Sequence, residues 1–303
     1  MMLYQSLTEE FALDFVVVGA EKSGTSWLSD KLKQHPQVFI PSQKELHYFN
    51  TRFVEDPTLR NYNHDKPLSW YISFFKEAHD AQKKGEVCPS YLWDEQAAKC
   101  IWKVFPNAKI VILLRNPVER TFSAYRYYLQ RGIITRDNFR QALNTHADIL
   151  LSRSKYYPQV KRYLDVFPSE HVSIFFYDDL KKSNEQFLLA VERFLDVEDY
   201  IPPEINKRSN LTAVPRSRWL GKFLYQIRAL GRKHSFVWLL DAMRRFGIAR
   251  SFEAWRMSNQ RNPEPTEIDR LKFEDRRWLL QYFDEDIRDL ENLLGVDLGM
   301  WRS

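Results

Sequence analysis

The chain has 303 residues, 44% hydrophobic and 28% charged, with 45 Lys+Arg against 40 Asp+Glu for a net charge of +5. Its 21 Phe, 15 Tyr and 9 Trp supply ample core and exclude a disordered chain, and two cysteines exclude a disulfide-stapled mini-protein. The length suits one large domain with an elaborated end.

The first residues, MMLYQSLTEEFALDF, carry acids where a secretory signal needs a basic and then a long apolar run. The longest apolar stretches, 15–18 and 110–114, are strand-sized, so no transmembrane segment is expected. Cys88 and Cys100 lack metal-ligand spacing, as reduced thiols of a cytoplasmic protein would. FVVVG (15–19) reads as a buried strand, followed by a loop and a helix over about 25–34. AKIVILLR (108–115) is a second buried strand. Asn116 then caps a helix with Pro117 at its first position, running to about Arg131. Helical periodicity returns over 138–151 and 156–166, HVSIFFY (171–177) is a third strand, and Ser183 to Gln186 is a capping-box signal for a helix through Leu195. Strands alternating with helices predict an α/β fold, a P-loop-type central parallel sheet flanked by helices. A core over 1–205 is followed by a segment over 206–262 holding 13 Lys/Arg against two acids. That segment is +11 and leaves −6 for the rest. It reads either as a solvated helical arm or as a surface that meets an anion. A final helix begins at Thr266 within 263–303 and ends at Gly295 in the C′ position, completing a single domain with a helical, basic C-terminal elaboration.

Glycine is scarce, at nine residues, yet Gly19 and Gly24 fall within six positions where the first strand turns into the first helix. Such a junction frees the backbone to wrap an anion and points helix N–H groups at it. The Gly-x4-Gly spacing matches an NTPase phosphate loop, but Thr25 stands where that loop needs lysine, and the lysine is displaced to Lys22. The second strand ends in Arg115, a fixed bidentate cation, where a metal-dependent NTPase places an aspartate. Ser123 lies eight residues on, two turns into the next helix. Asp178 and Asp179 follow the third strand and read as a helix start, with a metal site as the alternative.

The strand–KSGTSWL–helix loop with LLRNPVERTFSAY (113–125) resembles the nucleotide-binding elements of sulfotransferases that use 3′-phosphoadenosine 5′-phosphosulfate (PAPS). Further similarity runs through PSQKELHYF (41–49), GEVCPSYLW (85–93), 167–172 and LENLLGVDLGMW (290–301), most like the prokaryotic and carbohydrate-type branch. The resemblance implies sulfuryl transfer from PAPS to an acceptor hydroxyl on a glycan or sugar-containing metabolite, releasing 3′-phosphoadenosine 5′-phosphate (PAP), with no metal required. It places Lys22, Ser23, Gly24, Thr25, Ser26 and Trp27 on the 5′-phosphosulfate and Arg115 and Ser123 on the 3′-phosphate. It makes Lys22 the residue that stabilises the leaving phosphate, and Glu45 the base with His47 assisting; on the residues alone either is a candidate. The two stand two apart in a segment read as extended, which would put them on one face. NKRSNLTAVPRSRWL (206–220) resembles a donor-covering loop, bringing Arg208, Arg216 and Ser217 to the 3′-phosphate side. The pattern departs at Asn50, where some relatives carry an acid, and at Val87, where several carry lysine. The arginines and aromatics of 220–257 read as a helical cover, an acidic-glycan groove or a peripheral membrane face; no nucleic-acid motif is present. A P-loop kinase or NTPase and a non-catalytic polyanion binder on the same fold are the competing functions.

Overall fold

Strands β1 (Phe15–Gly19), β2 (Val38–Phe39), β3 (Lys83–Val87), β4 (Lys109–Leu114) and β5 (Val172–Phe176) form one sheet in the order β2-β3-β1-β4-β5. Every neighbouring pair is parallel. This computed structural model describes residues 11–52, 60–80, 82–131, 133–134, 138–207, 214–215, 260–261 and 270–302. The helices are α1 (Thr25–Leu32), α2 (Leu68–Ile72), α3 (Ala97–Val104), α4 (Pro117–Gln130), α5 (Phe139–Thr145), α6 (Ala147–Leu150), α7 (Tyr157–Leu164), α8 (Tyr177–Lys182), α9 (Asn184–Phe194) and α10 (Phe273–Leu294). The α/β class with a parallel central sheet is therefore observed. The three expected strands are β1, β4 and β5, each within a residue of its expected ends.

Two strands of this sheet were not expected. β2 has only two residues, and β3 (KKGEV) lacks the apolar run of a central strand. Gly85 explains β3: it pairs with Phe15, whose ring would lie 2.0 Å from any Cβ added there. A neighbour's aromatic ring thus supplies the apolar content that the strand lacks. The span 138–151 is two short helices, α5 and α6, which meet at His146. Capping followed the sequence more closely. Asn116 Oδ1 accepts the Val118 N–H at 3.0 Å, and Ser183 Oγ accepts the Gln186 N–H at 3.2 Å. Gly295 takes φ +65 after α10, its N–H donating to Glu291 O at 2.8 Å.

The described residues within 1–120, 152–210 and 279–303 form one compact unit, and those within 121–151 and 211–278 form a second. In the first, alternate residues of β1 and β4 (Phe15, Val17, Val111, Leu113) pack with Trp27, Leu28 and Leu32 of α1 and with Leu180, Phe187 and Val191 from α8 and α9. Their neighbours Val16, Val18, Ile110 and Ile112 are equally buried, so both faces of the sheet are covered. In the second unit, β6 (Val214–Pro215) pairs antiparallel with β7 (Gln260–Arg261), and Arg140 bonds Asp275 at 3.1 Å beneath the Trp278 ring. Arg208, Arg216, Ser217 and the span 220–257 lie outside the described residues.

The strand order sets the site. From β1 the chain goes to one side for β2, returns beside β1 as β3, and crosses to the other side as β4. The carboxyl end of β1 is therefore a topological switch point, where open α/β sheets bind ligands.

Candidate active site

The loop after β1 is held from several sides. Ala20 N–H donates to Leu113 O of β4 at 2.7 Å, and Ser23 N–H to Ala20 O at 3.3 Å. Lys22 and Gly24 take φ +69 and +97, conformations that turn the backbone in tight steps. At Gly24 a Cβ would sit 2.9 Å from Leu180 and 3.2 Å from the Tyr177 ring, so this position needs glycine on two grounds. Ser23 and Thr25 are buried and Lys22 and Ser26 half-buried. Trp27 turns inward, edge-on to Phe187 at 6.0 Å. Its indole is a core group, anchoring the helix that carries the loop.

Arg115 arrives from the end of β4. Its Nη1 donates to Lys22 O at 3.2 Å, its guanidinium lies 4.8 Å over the Tyr177 ring, and Glu119 is 3.8 Å from Nη2. The Arg115 guanidinium is thus tied to the loop backbone at Lys22. Beneath the loop, fully buried Arg120 donates to Glu21 O and Glu21 Oε2, both at 3.2 Å, and Arg153 stands 3.6 Å from the same carboxylate. Sequence reasoning missed this brace, although an arginine on the core side of an amphipathic helix signals a buried partner. Ser123 is half-buried in α4 and belongs to the second unit.

Three buried polar atoms here make no hydrogen bond of good geometry among the described residues, Ser23 Oγ, Arg115 Nε and Tyr156 Oη, although the Tyr156 hydroxyl faces the Ser23 hydroxyl and the Arg115 backbone. Burial pushes the Tyr156 hydroxyl up to about 12 against the pull of Arg120. Leaving such groups unsatisfied costs about 1–3 kcal/mol each. Donors of this kind around a loop with Lys22 and Arg115 fit an oxygen-rich, multiply anionic ligand. Asp178 is otherwise engaged: it begins α8, accepts the Trp301 indole N–H at 2.9 Å and pairs with Lys181 at 2.9 Å. The expected helix-start role of Asp178 and Asp179 is observed.

The segment 44–50 differs from expectation in its backbone. Glu45 and His47 are not extended; both take left-handed conformations, φ +55 and +53. They nevertheless meet, with His47 Nε2 3.6 Å from Glu45 Oε2. The other ring nitrogen, Nδ1, lies 2.9 Å from Ser90 Oγ and 3.5 Å from Cys88 Sγ. Alternation along a strand therefore does not bring the pair together; a folded turn does. Two departures noted in the sequence are interior positions: Val87 is buried, and Asn50 donates to Arg52 O at 2.6 Å.

What holds that turn is Glu86, which sequence reading did not single out. Its carboxylate accepts the Leu46 N–H at 3.1 Å, the Tyr71 hydroxyl at 2.8 Å and the Tyr91 hydroxyl at 2.9 Å. Tyr91 Oη in turn accepts the Tyr48 and Phe49 N–H groups at 2.9 and 3.4 Å. Asp94 Oδ2 accepts from Thr51 N–H and Oγ1 at 2.8 and 3.1 Å. A carboxylate at the buried end of a sheet strand is the available signal, since such a group needs several donors.

The chain belongs to the sulfotransferase domain family, whose model matches residues 13–214. It is 32% identical over 120 residues to the membrane-associated sulfotransferase kil1 of Dictyostelium discoideum, across 39% of this chain and 23% of that protein. It is 27% identical over 202 residues to heparan sulfate glucosamine 3-O-sulfotransferase 5 of Homo sapiens, across 63% of this chain and 54% of that one. The chain thus spans between about a quarter and about half of the length of these curated relatives. A sulfotransferase from Alicyclobacillus acidocaldarius shares the fold with a TM-score of 0.69 at 24% identity, over 97% of this chain and all of that one.

Proposed function

We propose that this protein transfers a sulfuryl group from PAPS to a hydroxyl of a glycan or sugar-containing acceptor. The observation that carries the reading is the phosphate loop tied to Arg115 through Lys22 O, with the buried Ser23 and Tyr156 hydroxyls and Arg115 Nε grouped beside it. The donor, when bound, supplies the sulfuryl group and leaves as PAP. Lys22, Ser23, Gly24, Thr25 and Ser26 are assigned to its 5′ side and Arg115 and Ser123 to its 3′-phosphate. Trp27 supports this loop from the core. Arg208, Arg216 and Ser217 remain proposed for the 3′-phosphate side from the sequence alone. Glu45 accepts the acceptor hydroxyl's proton as the acceptor oxygen bonds to sulfur, and His47, 3.6 Å away, orients the carboxylate. The Lys22 charge stabilises the electron pair left on the 5′-phosphate oxygen. A sugar acceptor is favoured by the similarity to a heparan sulfate sulfotransferase.

The test has two arms. PAP is expected to raise the melting temperature, and Lys22→Ala or Arg115→Ala to abolish that rise. Radiolabelled donor with desulfated heparan sulfate, other glycans and simple alcohols then identifies the acceptor, with turnover lost in Glu45→Gln. Stabilisation by ATP with Mg²⁺ and none by PAP refutes the proposal. Among the described residues no helix is long and apolar enough to cross a membrane. The proposed cytoplasmic placement is tested by fractionation against membrane association, which the name of the Dictyostelium relative raises.

A further inference from the structure

We infer that Glu86 is a positioning residue for the acceptor-activating pair, holding the backbone turn that faces Glu45 and His47 toward one another. The inference rests on the proposed roles of Glu45 and His47. Its geometry begins with the turn itself. Two non-glycine residues, two apart, sit at φ +55 and +53, where a side chain and its own carbonyl crowd each other. Such conformations persist only where their surroundings over-determine them. Here the over-determination is explicit. The Leu46 N–H between the two residues donates to Glu86 Oε1, and Tyr91 Oη relays the Tyr48 and Phe49 N–H groups to the same carboxylate. On the outer side, Asn63 Nδ2 donates to Leu46 O at 2.9 Å, and Asn61 Nδ2 donates to His47 O and to Asn50 O. The Leu46, Tyr48 and Phe49 amides thus converge on one buried acid, while the segment's carbonyls are held by two asparagines and, at Tyr48 O, by His64 Nδ1 at 3.2 Å.

Glu86 is 2% exposed and fixed on β3, so the turn is referenced to the rigid sheet. The groups that face it are Tyr71 from α2, Cys88 and Tyr91 from the turn after β3, and Glu45 from the segment it holds. None of these is a cation. Burial accordingly raises its carboxyl to about 7, against the pull of the hydrogen bonds from Tyr71, Tyr91 and Leu46. An ionised carboxylate accepts more strongly than a protonated one, so the grip on the Leu46 amide weakens as pH falls through that range. Glutamine at this position has the shape and charge of the protonated acid.

The test is nuclear magnetic resonance on the full chain, with Glu86→Gln beside the wild type. The Leu46 and Tyr48 amide resonances are expected to move together with a midpoint near pH 7, and in the variant to stay fixed at their low-pH wild-type positions. PAP affinity is expected to stay within about twofold, because the donor loop is not involved. In the acceptor assay kcat is expected to fall about tenfold to a hundredfold with little change in donor KM, as for a misplaced catalytic group. Should Glu86→Gln fold poorly, Tyr91→Phe removes the relay to Tyr48 and Phe49 and is expected to lower kcat in the same way. Amide resonances with no titration that depends on Glu86, or wild-type turnover in Glu86→Gln while Glu45→Gln is inactive, overturn this inference alone. Full turnover in Glu45→Gln instead overturns the reading beneath it.

Discussion

Replacing Glu86 by glutamine is expected to make the protein more stable at alkaline pH, and the size of the gain follows from burial. The carboxyl ionises near 4.5 in an open chain and at about 7 in the fold. Between those values the folded state holds a proton that the unfolded state has released, so stability falls as pH rises through the window. The shift corresponds to about 3 kcal/mol at 1.36 kcal/mol for each tenfold change in proton affinity. Because the group is buried, little of this is screened by solvent. Glu192 and Asp286, raised by burial to about 7 and about 6, add slopes of the same sign. The informative quantity is therefore the difference between wild type and Glu86→Gln. Urea unfolding at intervals from pH 5 to pH 8.5 is expected to show the variant gaining about 3 kcal/mol relative to wild type across that range. A difference that stays flat within about 0.5 kcal/mol refutes the assignment of a buried, proton-holding carboxyl.

Other substitutions probe the donor side. Gly24→Ala is expected to cost about 1–3 kcal/mol, since alanine must adopt φ +97 with its Cβ 2.9 Å from Leu180; thermal unfolding measures it, and a neutral result would show that the loop relaxes freely. Glu21→Ala removes the carboxylate between buried Arg120 and Arg153 and is expected to destabilise by about 3–5 kcal/mol. Chemical denaturation reads this, with PAP affinity falling in parallel as the loop loosens. Ser183→Ala deletes the bond to the Gln186 N–H and is expected to cost about 1 kcal/mol with no change in PAP binding. A loss of binding there would mean that α9 communicates with the donor loop.

The loop proposed for the donor was legible because its signals are local. A displaced lysine, two glycines and an arginine at a strand end occupy short windows, and the backbone they require is set within those windows. The acceptor side was legible only as residue types. Glu45 and His47 can be read off KELHYF, but the geometry that joins them depends on Glu86, 40 residues from Leu46, and on Tyr91, 43 from Tyr48. Periodicity carries no record of such long-range hydrogen bonds, and the default expectation of an extended segment was wrong for that reason. β3 escaped notice on similar grounds, since its apolar partner, the Phe15 ring, belongs to another strand.

These two observations about Glu86 point in opposite directions energetically. Ionising the acid works against folding above neutral pH, while the ionised form is the better acceptor for the amides that shape the Glu45–His47 turn. A core built for stability alone would place an apolar residue or an amide on that strand. Retaining a carboxylate, with Tyr71 and Tyr91 arranged as donors and no cation facing it among the described residues, trades folding free energy for a backbone conformation that two non-glycine residues resist. The same trade recurs beneath the donor loop, where a buried guanidinium pair converges on Glu21. One cost falls just after the carboxyl end of β1 and the other near the carboxyl end of its neighbour β3, so the strained and charge-burying positions mark the proposed site independently of any motif.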